Sequence, residues 1–192
     1  MLTNLRRAVV LSFVFLAVLG LGYPLAGTGV AMLFFKHQAE GSLVTDGGRV
    51  VGSALIGQQW PGPKWFQGRP DGYVLVNKPD QVVVSGTEQL GPRSLALEQF
   101  VARQAARLRR EGISRPTVDL VTTSGSLVDP DISLADADAQ VPAVARANHL
   151  PAAELYKMAR QELHHRELGF LGAPYIDVLE LNVALARLEH RH

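Results

Sequence analysis

The stretch AVVLSFVFLAVLGLGYPLAGTGVAMLFF, residues 8–35, contains no charged side chain, and its reading decides the architecture of the chain. Arg6 and Arg7 stand just before it and Lys36 directly after it. A helix rises about 1.5 Å per residue, so roughly 20 apolar residues cross a hydrocarbon core about 30 Å thick. The run exceeds that length, which leaves room for tilt or for a break near Pro24. A cleaved secretory signal has a shorter apolar core, of about 7–15 residues. Gly29-Val30-Ala31 offers a small-x-small site, yet Met32, Leu33, Phe34 and Phe35 prolong the apolar run past it. The reading is a retained single-pass anchor. It divides the chain into a flank, residues 1–7, a transmembrane helix, residues 8–35, and a domain in water, residues 36–192.

The flanking charges predict the orientation. Arg6, Arg7 and the amino terminus precede the span, while Lys36 follows it closely, so the positive-inside rule keeps the N-terminus cytoplasmic and exports the domain. Within the span, small residues recur at four-residue spacing: Ala8 and Ser12, Gly22 and Ala26, Gly27 and Ala31. Small side chains let helix backbones approach closely in lipid, where no hydrophobic drive exists between helices. Gly22, Ala26 and Gly27, together with Pro24, are therefore the candidate residues for packing against other spans.

The roughly 155 residues beyond the anchor suffice for one domain with its own core. The sequence has no cysteine, hence no disulfide and no zinc thiolate site. A net charge of +1 argues against a nucleic-acid partner. Arg103, Arg107, Arg109, Arg110 and Arg115 form a basic block, and Asp119, Asp129, Asp131, Asp136 and Asp138 an acidic one, read as two solvated faces.

Residues 43–45 and 49–56 are predicted as strands around an Asp46-Gly47-Gly48 turn. Residues 60–71, rich in Pro, Gly and aromatics, read as an ordered loop. Residues 73–77 and 81–84 suggest a hairpin. Residues 92–110 read as a helix with Leu97, Val101, Ala105 and Leu108 on one face, closed by Gly112. Residues 118–123 have the β-branched composition of a strand. Ser133 and Asp136 form a capping box that opens a further helix, which Pro142 is expected to kink or restart. Pro151 suits the start of another helix, reaching about Arg166. Residues 169–174 form a loop, and residues 175–188 begin as strand and end as helix. Together these make one mixed α+β domain.

Catalytic signatures are missing. There is no G-x-S-x-G elbow, no S-x-x-K, no H-E-x-x-H and no phosphate loop. His164 and His165 are adjacent, unlike an i, i+4 metal pair, and read as a solvated helix end. Asp129-Pro130-Asp131-Ile132-Ser133 begins like a calcium loop, but Leu134 stands where glycine is required and Gln140 where a bidentate glutamate belongs. No catalytic and no metal site is assigned.

Several segments together resemble the C subunit of the Kdp-type potassium-transporting ATPase, a bacterial membrane complex for high-affinity potassium uptake. They are Tyr23-Pro24-Leu25-Ala26 with Thr28-Gly29; Gly52-Ser53-Ala54-Leu55-Ile56-Gly57-Gln58; Phe66 with Arg69-Pro70; Ser85-Gly86; and Leu90-Gly91-Pro92. Asp119-Leu120-Val121-Thr122-Thr123-Ser124-Gly125-Ser126, Asp129-Pro130 and Ile132-Ser133 continue the series. Gln140-Val141-Pro142, Leu168-Gly169-Phe170-Leu171-Gly172 with Pro174, and Val178-Leu179-Glu180-Leu181-Asn182 complete it. The chain departs from the family pattern at Asp71-Gly72, Thr87-Glu88-Gln89, Leu127-Val128, Ala173, Tyr175 and Asp177.

The resemblance implies an accessory subunit in the bacterial inner membrane. Its partners would be a potassium-selecting, channel-like subunit and a P-type ATPase subunit that binds ATP and forms the aspartyl phosphate. The Asp-Lys-Thr-Gly phosphorylation motif is absent here. The family's C subunit is described as a catalytic chaperone that raises the ATPase subunit's affinity for ATP, with the counterpart of Gln140 placed near nucleotide. An exported domain cannot touch cytoplasmic ATP, so Gln140 reads on its own as a buried amide tying the kink at Pro142. No cofactor is expected to bind the chain directly. The competing classes, an anchored exported enzyme and a free-standing binding module, have no motif to support them.

Overall fold

The computed structural model describes residues 2–60, 62–71, 86 and 90–189. Two compact units emerge, residues 1–43 and 44–192.

The first unit is helical. α1 (Leu2–Ala17) runs into a π-helical turn (Val18–Gly22) and continues as α2 (Tyr23–Phe34), a 33-residue helix long and apolar enough to cross a membrane. None of its residues is buried within the chain. The helix does not break at Pro24. Proline has no N–H for the carbonyl four residues back, and its ring presses on that carbonyl in a regular helix. The π-turn, in which the Tyr23 N–H reaches the Val18 carbonyl, accommodates it one turn earlier. At Phe35 the backbone leaves helical geometry (φ −135°), and the short α3 (Lys36–Ala39) follows.

β1 (Leu43–Asp46) and β2 (Arg49–Ser53) form the expected two-stranded hairpin, with β2 ending at Ser53, short of residue 56. Gly52 has no side chain because none fits: a Cβ there would lie 2.8 Å from the Leu179 side chain. α4 (Leu95–Arg110) ends as foreseen at Gly112, whose φ of +94° suits glycine. Ile113 N–H donates to the Leu108 carbonyl at 2.9 Å and Gly112 N–H to Arg109 at 3.1 Å, a Schellman closure. Leu108 and Ile113 then pack with Leu120, Val121 and Ala143 in a small satellite core.

The main core lies between three helices and a miniature sheet. β3 (Asp131–Ile132) pairs antiparallel with β4 (Ile176–Asp177), setting Ile132 opposite Ile176 and Asp131 opposite Asp177. Alternation along a strand sends the two isoleucines into the core. α5 (Leu134–Asn148), α6 (Ala152–Gln161) and α7 (Val178–Glu189) surround them with Val141, Val144, Leu155, Leu181 and Leu185. The capping box at α5 is present: Ser133 Oγ accepts from Asp136 N–H, and Asp136 accepts the Ser133 N–H at 2.7 Å.

Some expectations fail on long-range grounds. Residues 118–123 form no strand; Val118 is exposed while the consecutive Leu120 and Val121 are both buried, not the alternation of a half-buried strand. The segment is a turn, with Val121 N–H and Thr122 Oγ–H both donating to the Val118 carbonyl. α5 continues through Pro142 without restarting, held by Val141, Val144 and Ala145 in the core. α6 stops at Gln161, short of Arg166, because the chain turns to pair His164 with Tyr175. His164 is thus not on a helix. The hairpin expected at 73–77 and 81–84, Gly72, Ser85 and the departures at 87–89 lie outside the described residues.

Candidate functional site

The densest long-range polar network holds a strap, residues 62–71, against the helices. Phe66 buries its ring completely in the main core, which carries its backbone inside with it. A buried peptide group needs partners. Asn182, itself 0% exposed on α7, accepts the Phe66 N–H and donates to the Phe66 carbonyl, both at 2.9 Å. Gln140 on α5, equally buried, does the same for the next residue: it accepts the Gln67 N–H at 2.7 Å and donates to the Gln67 carbonyl at 3.0 Å. Asn148 donates to the Lys64 carbonyl at 2.7 Å. Amide side chains thus supply what a neighbouring strand would supply in a sheet.

The far end of the strap fastens the 118–129 turn. Arg69 binds Asp119 at 3.0 Å and the Thr123 carbonyl at 3.1 Å. Asp71, 5% exposed, accepts from Ser124 N–H at 2.5 Å, Ser124 Oγ–H at 2.6 Å and Asp129 N–H at 3.0 Å. The departure at Asp71 therefore builds a tie. A cleft of about 380 Å³ beside the strap is lined by Gln58, Trp60, Gln67, Arg69, Gln104 and Arg107, among others. Its arginines already face Asp119 and Glu111.

Gln140 is the buried amide expected, but its partner is Gln67 across the domain and not the proline turn. Gly22, Pro24, Ala26 and Gly27 are all exposed along the apolar helix. A Cβ on Gly27 would meet nothing within 4 Å, and one on Gly22 would come only to 3.7 Å of the Ala17 carbonyl. Asn182, Asn148 and Asp71 were not foreseen as functional positions. Asn182 did carry a signal, because it sits one helical turn from Val178 and Leu185, which both face the core.

An acidic cluster gathers at the end of the β3–β4 ladder. Burial pushes Asp131 up to about 7, helped by the facing carboxylates of Asp129, Asp177 and Glu180 and opposed by His164. Burial also raises Asp177 to about 6, against the Glu180 N–H, which donates to its Oδ1 at 2.9 Å in the manner of a helix N-cap. Glu162 is raised by burial and then by Glu180. His164 lies 3.0 Å from Glu180 and stacks on the Tyr175 ring at 4.8 Å. Among the described residues no three His, Asp or Glu side chains are placed to hold a metal ion. Burial and mutual repulsion thus raise Asp131, Asp177 and Glu162 together.

Fold and site together define a small α+β domain, locked by its own buried amides, on one helix of membrane-spanning length. A family model described as KdpC, the c chain of the K+-transporting ATPase, matches residues 5–187. The chain is 45% identical over 201 residues, covering all of both chains, to the potassium-transporting ATPase KdpC subunit of Methylorubrum extorquens. It is 43% identical to that of Bradyrhizobium diazoefficiens, covering 97% of this chain and 98% of the relative. It is 45% identical to that of Sorangium cellulosum, covering 96% and 98%. The chain belongs to the KdpC family and is an accessory subunit of a potassium-transporting ATPase complex.

Proposed function

We propose that the chain is non-catalytic and acts with its N-terminus in the cytoplasm, its apolar helix in the bacterial inner membrane and its domain outside. There it stabilises a complex of a potassium-selecting, channel-like subunit with a P-type ATPase subunit, and it raises the latter's affinity for ATP from across the membrane. The full-length kinship with potassium-transporting ATPase subunits carries this reading. Supporting an indirect effect on ATP is the state of Gln140, itself fully buried, whose amide oxygen and nitrogen both hold the Gln67 backbone. A subunit that changes affinity at a distant site does so by contacting two states of its partner unequally.

Two measurements test it. The purified full chain in detergent binds ATP negligibly, and a complex lacking the chain needs at least fivefold more ATP for half-maximal, potassium-driven hydrolysis. Tight, saturable ATP binding by the chain alone would overturn the indirect mechanism and make Gln140 a contact candidate. An unchanged ATP requirement without the chain would remove the chaperone role.

A further inference from the structure

The loop closed by His164 and Tyr175 presents an apolar tip. Backbone bonds of 2.9 and 3.1 Å join these two residues at its base, and Leu171 N–H closes an inner turn onto the Glu167 carbonyl at 2.9 Å. At the tip Leu168 is 80% exposed, Phe170 67% and Leu171 49%. The backbone shape is specified: inside the inner turn Leu168 takes the left-handed φ of 51°, which leucine disfavours, and Gly169 follows at 82°. Contiguous exposed apolar side chains on a strained, hydrogen-bonded loop mark an interaction surface and not scattered surface apolarity.

We propose that this tip docks into an apolar pocket with a basic rim on a membrane-borne protein subunit of the same transport complex. The inference rests on the accessory-subunit reading and names the surface that it uses. Charge selects the occupant. Around the base stand the accessible Glu162, Glu167 and Glu180, the last 3.0 Å from His164, while Asp177 is buried and Asp131 is raised to about 7 by its burial. Arg166 and His165 are the basic residues next to the tip in sequence. Among the described residues the accessible carboxylates there, Glu162, Glu167 and Glu180, outnumber the one full cation, Arg166, so an anionic lipid surface repels the collar while a basic protein rim attracts it. A fixed shape also suits a pocket, whereas fluid lipid needs none. Phe170 is the anchor, an aromatic side chain of the kind that dominates interface cores. The domain's first strand begins at Leu43, only a short link after Phe34, so the partner is one found at the membrane.

The test is photo-crosslinking in the intact complex, purified through a tag on another subunit. Phe170 is replaced by p-benzoylphenylalanine, and exposed Leu95 on α4 by the same residue as control. The expected result is co-purification with a Phe170 crosslink to a protein subunit and at least tenfold less at Leu95. Co-purification with crosslinks to lipid only, or with none above the control, overturns the docking site and leaves the accessory reading intact. Failure of the unsubstituted chain to co-purify overturns the reading beneath it. In parallel, the full chain carrying Phe170→Ser and Leu171→Ser should insert and melt like the parent yet be recovered with the complex at least tenfold less. Undiminished recovery overturns the proposal.

Discussion

At Phe66 the backbone N–H and carbonyl lie where water does not reach, and the Asn182 amide satisfies both. Leucine shares asparagine's branching but is bulkier and offers no hydrogen bond, so Asn182→Leu strands a buried donor and acceptor. Each orphaned group costs about 1–3 kcal/mol, and a loss of about 2–4 kcal/mol is expected. Gln140→Leu should cost less, about 1–2 kcal/mol, because the half-buried Gln67 backbone regains some water. Thermal unfolding of the full chain in detergent, followed by near-UV dichroism of the Trp60–Trp65 pair at 5.3 Å, measures both. Equal costs would contradict the burial difference. The carboxylates of β3 and β4 make the second residue-scale prediction. Asp131 and Asp177 stand at about 7 and about 6 in the folded domain, above the ordinary 3.8. The folded state thus keeps protons that the unfolded chain has released, so stability falls as pH rises from about 4 to 7 and then levels off. Asp131→Asn removes one titrating group and relieves its repulsion with Asp129, Asp177 and Glu180. It should flatten that slope and raise stability at pH 8 by about 1 kcal/mol, a figure discounted for solvent screening. A melting curve at pH 5 and pH 8 for parent and variant checks the sign; a variant less stable at pH 8 would contradict it.

Among the elements, the apolar helix has no buried residue among those described. Gly22 and Ala26 lie four residues apart on one face, beside the π-turn that Pro24 demands. Gly22→Leu with Ala26→Leu raises apolarity, and the helix itself has room at Gly22. Insertion should therefore be kept, while close approach of a neighbouring helix is lost. Recovery of the doubly substituted chain with a tagged partner should drop at least fivefold; parental recovery would make this helix a mere tether. The same elements show where sequence reading reaches. The β1–β2 turn, the Gly112 closure and the Ser133–Asp136 box were legible because each is set by residues within a few positions. The 118–123 turn was not, since its β-branched residues obey Arg69, which binds Asp119 and the Thr123 carbonyl some fifty positions away in sequence. At Pro142 the expected restart does not occur for a related reason: core packing on both sides overrides its local preference. Of the site, Gln140 and Asn182 could be seen as amides on apolar faces, but their partners at Phe66 and Gln67 depend on tertiary approach alone.

For the molecule as a whole, the two sides of the membrane decide which mechanisms are open. Arg6 and Arg7 before the apolar run, against Lys36 after it, favour a cytoplasmic N-terminus. If the domain is outside, ATP and the domain never meet, and every effect on ATP use has to pass through a subunit that spans the membrane. If it is inside, the whole distance argument fails. The chain has no cysteine, so one introduced thiol reports without interference from the chain itself. Ser94, at the N-cap of α4, is half-buried, whereas its neighbour Leu95 is 66% exposed and better placed for a reagent. Leu95→Cys should react with a membrane-impermeant maleimide in intact cells whose outer barrier alone is permeabilised, to the same extent as after lysis. A second variant, Thr3→Cys, sits ahead of Arg6 and Arg7 and should react only after lysis. Labelling in the reverse order would invert the topology, place the domain beside the nucleotide, and make direct contact with ATP the mechanism to test next.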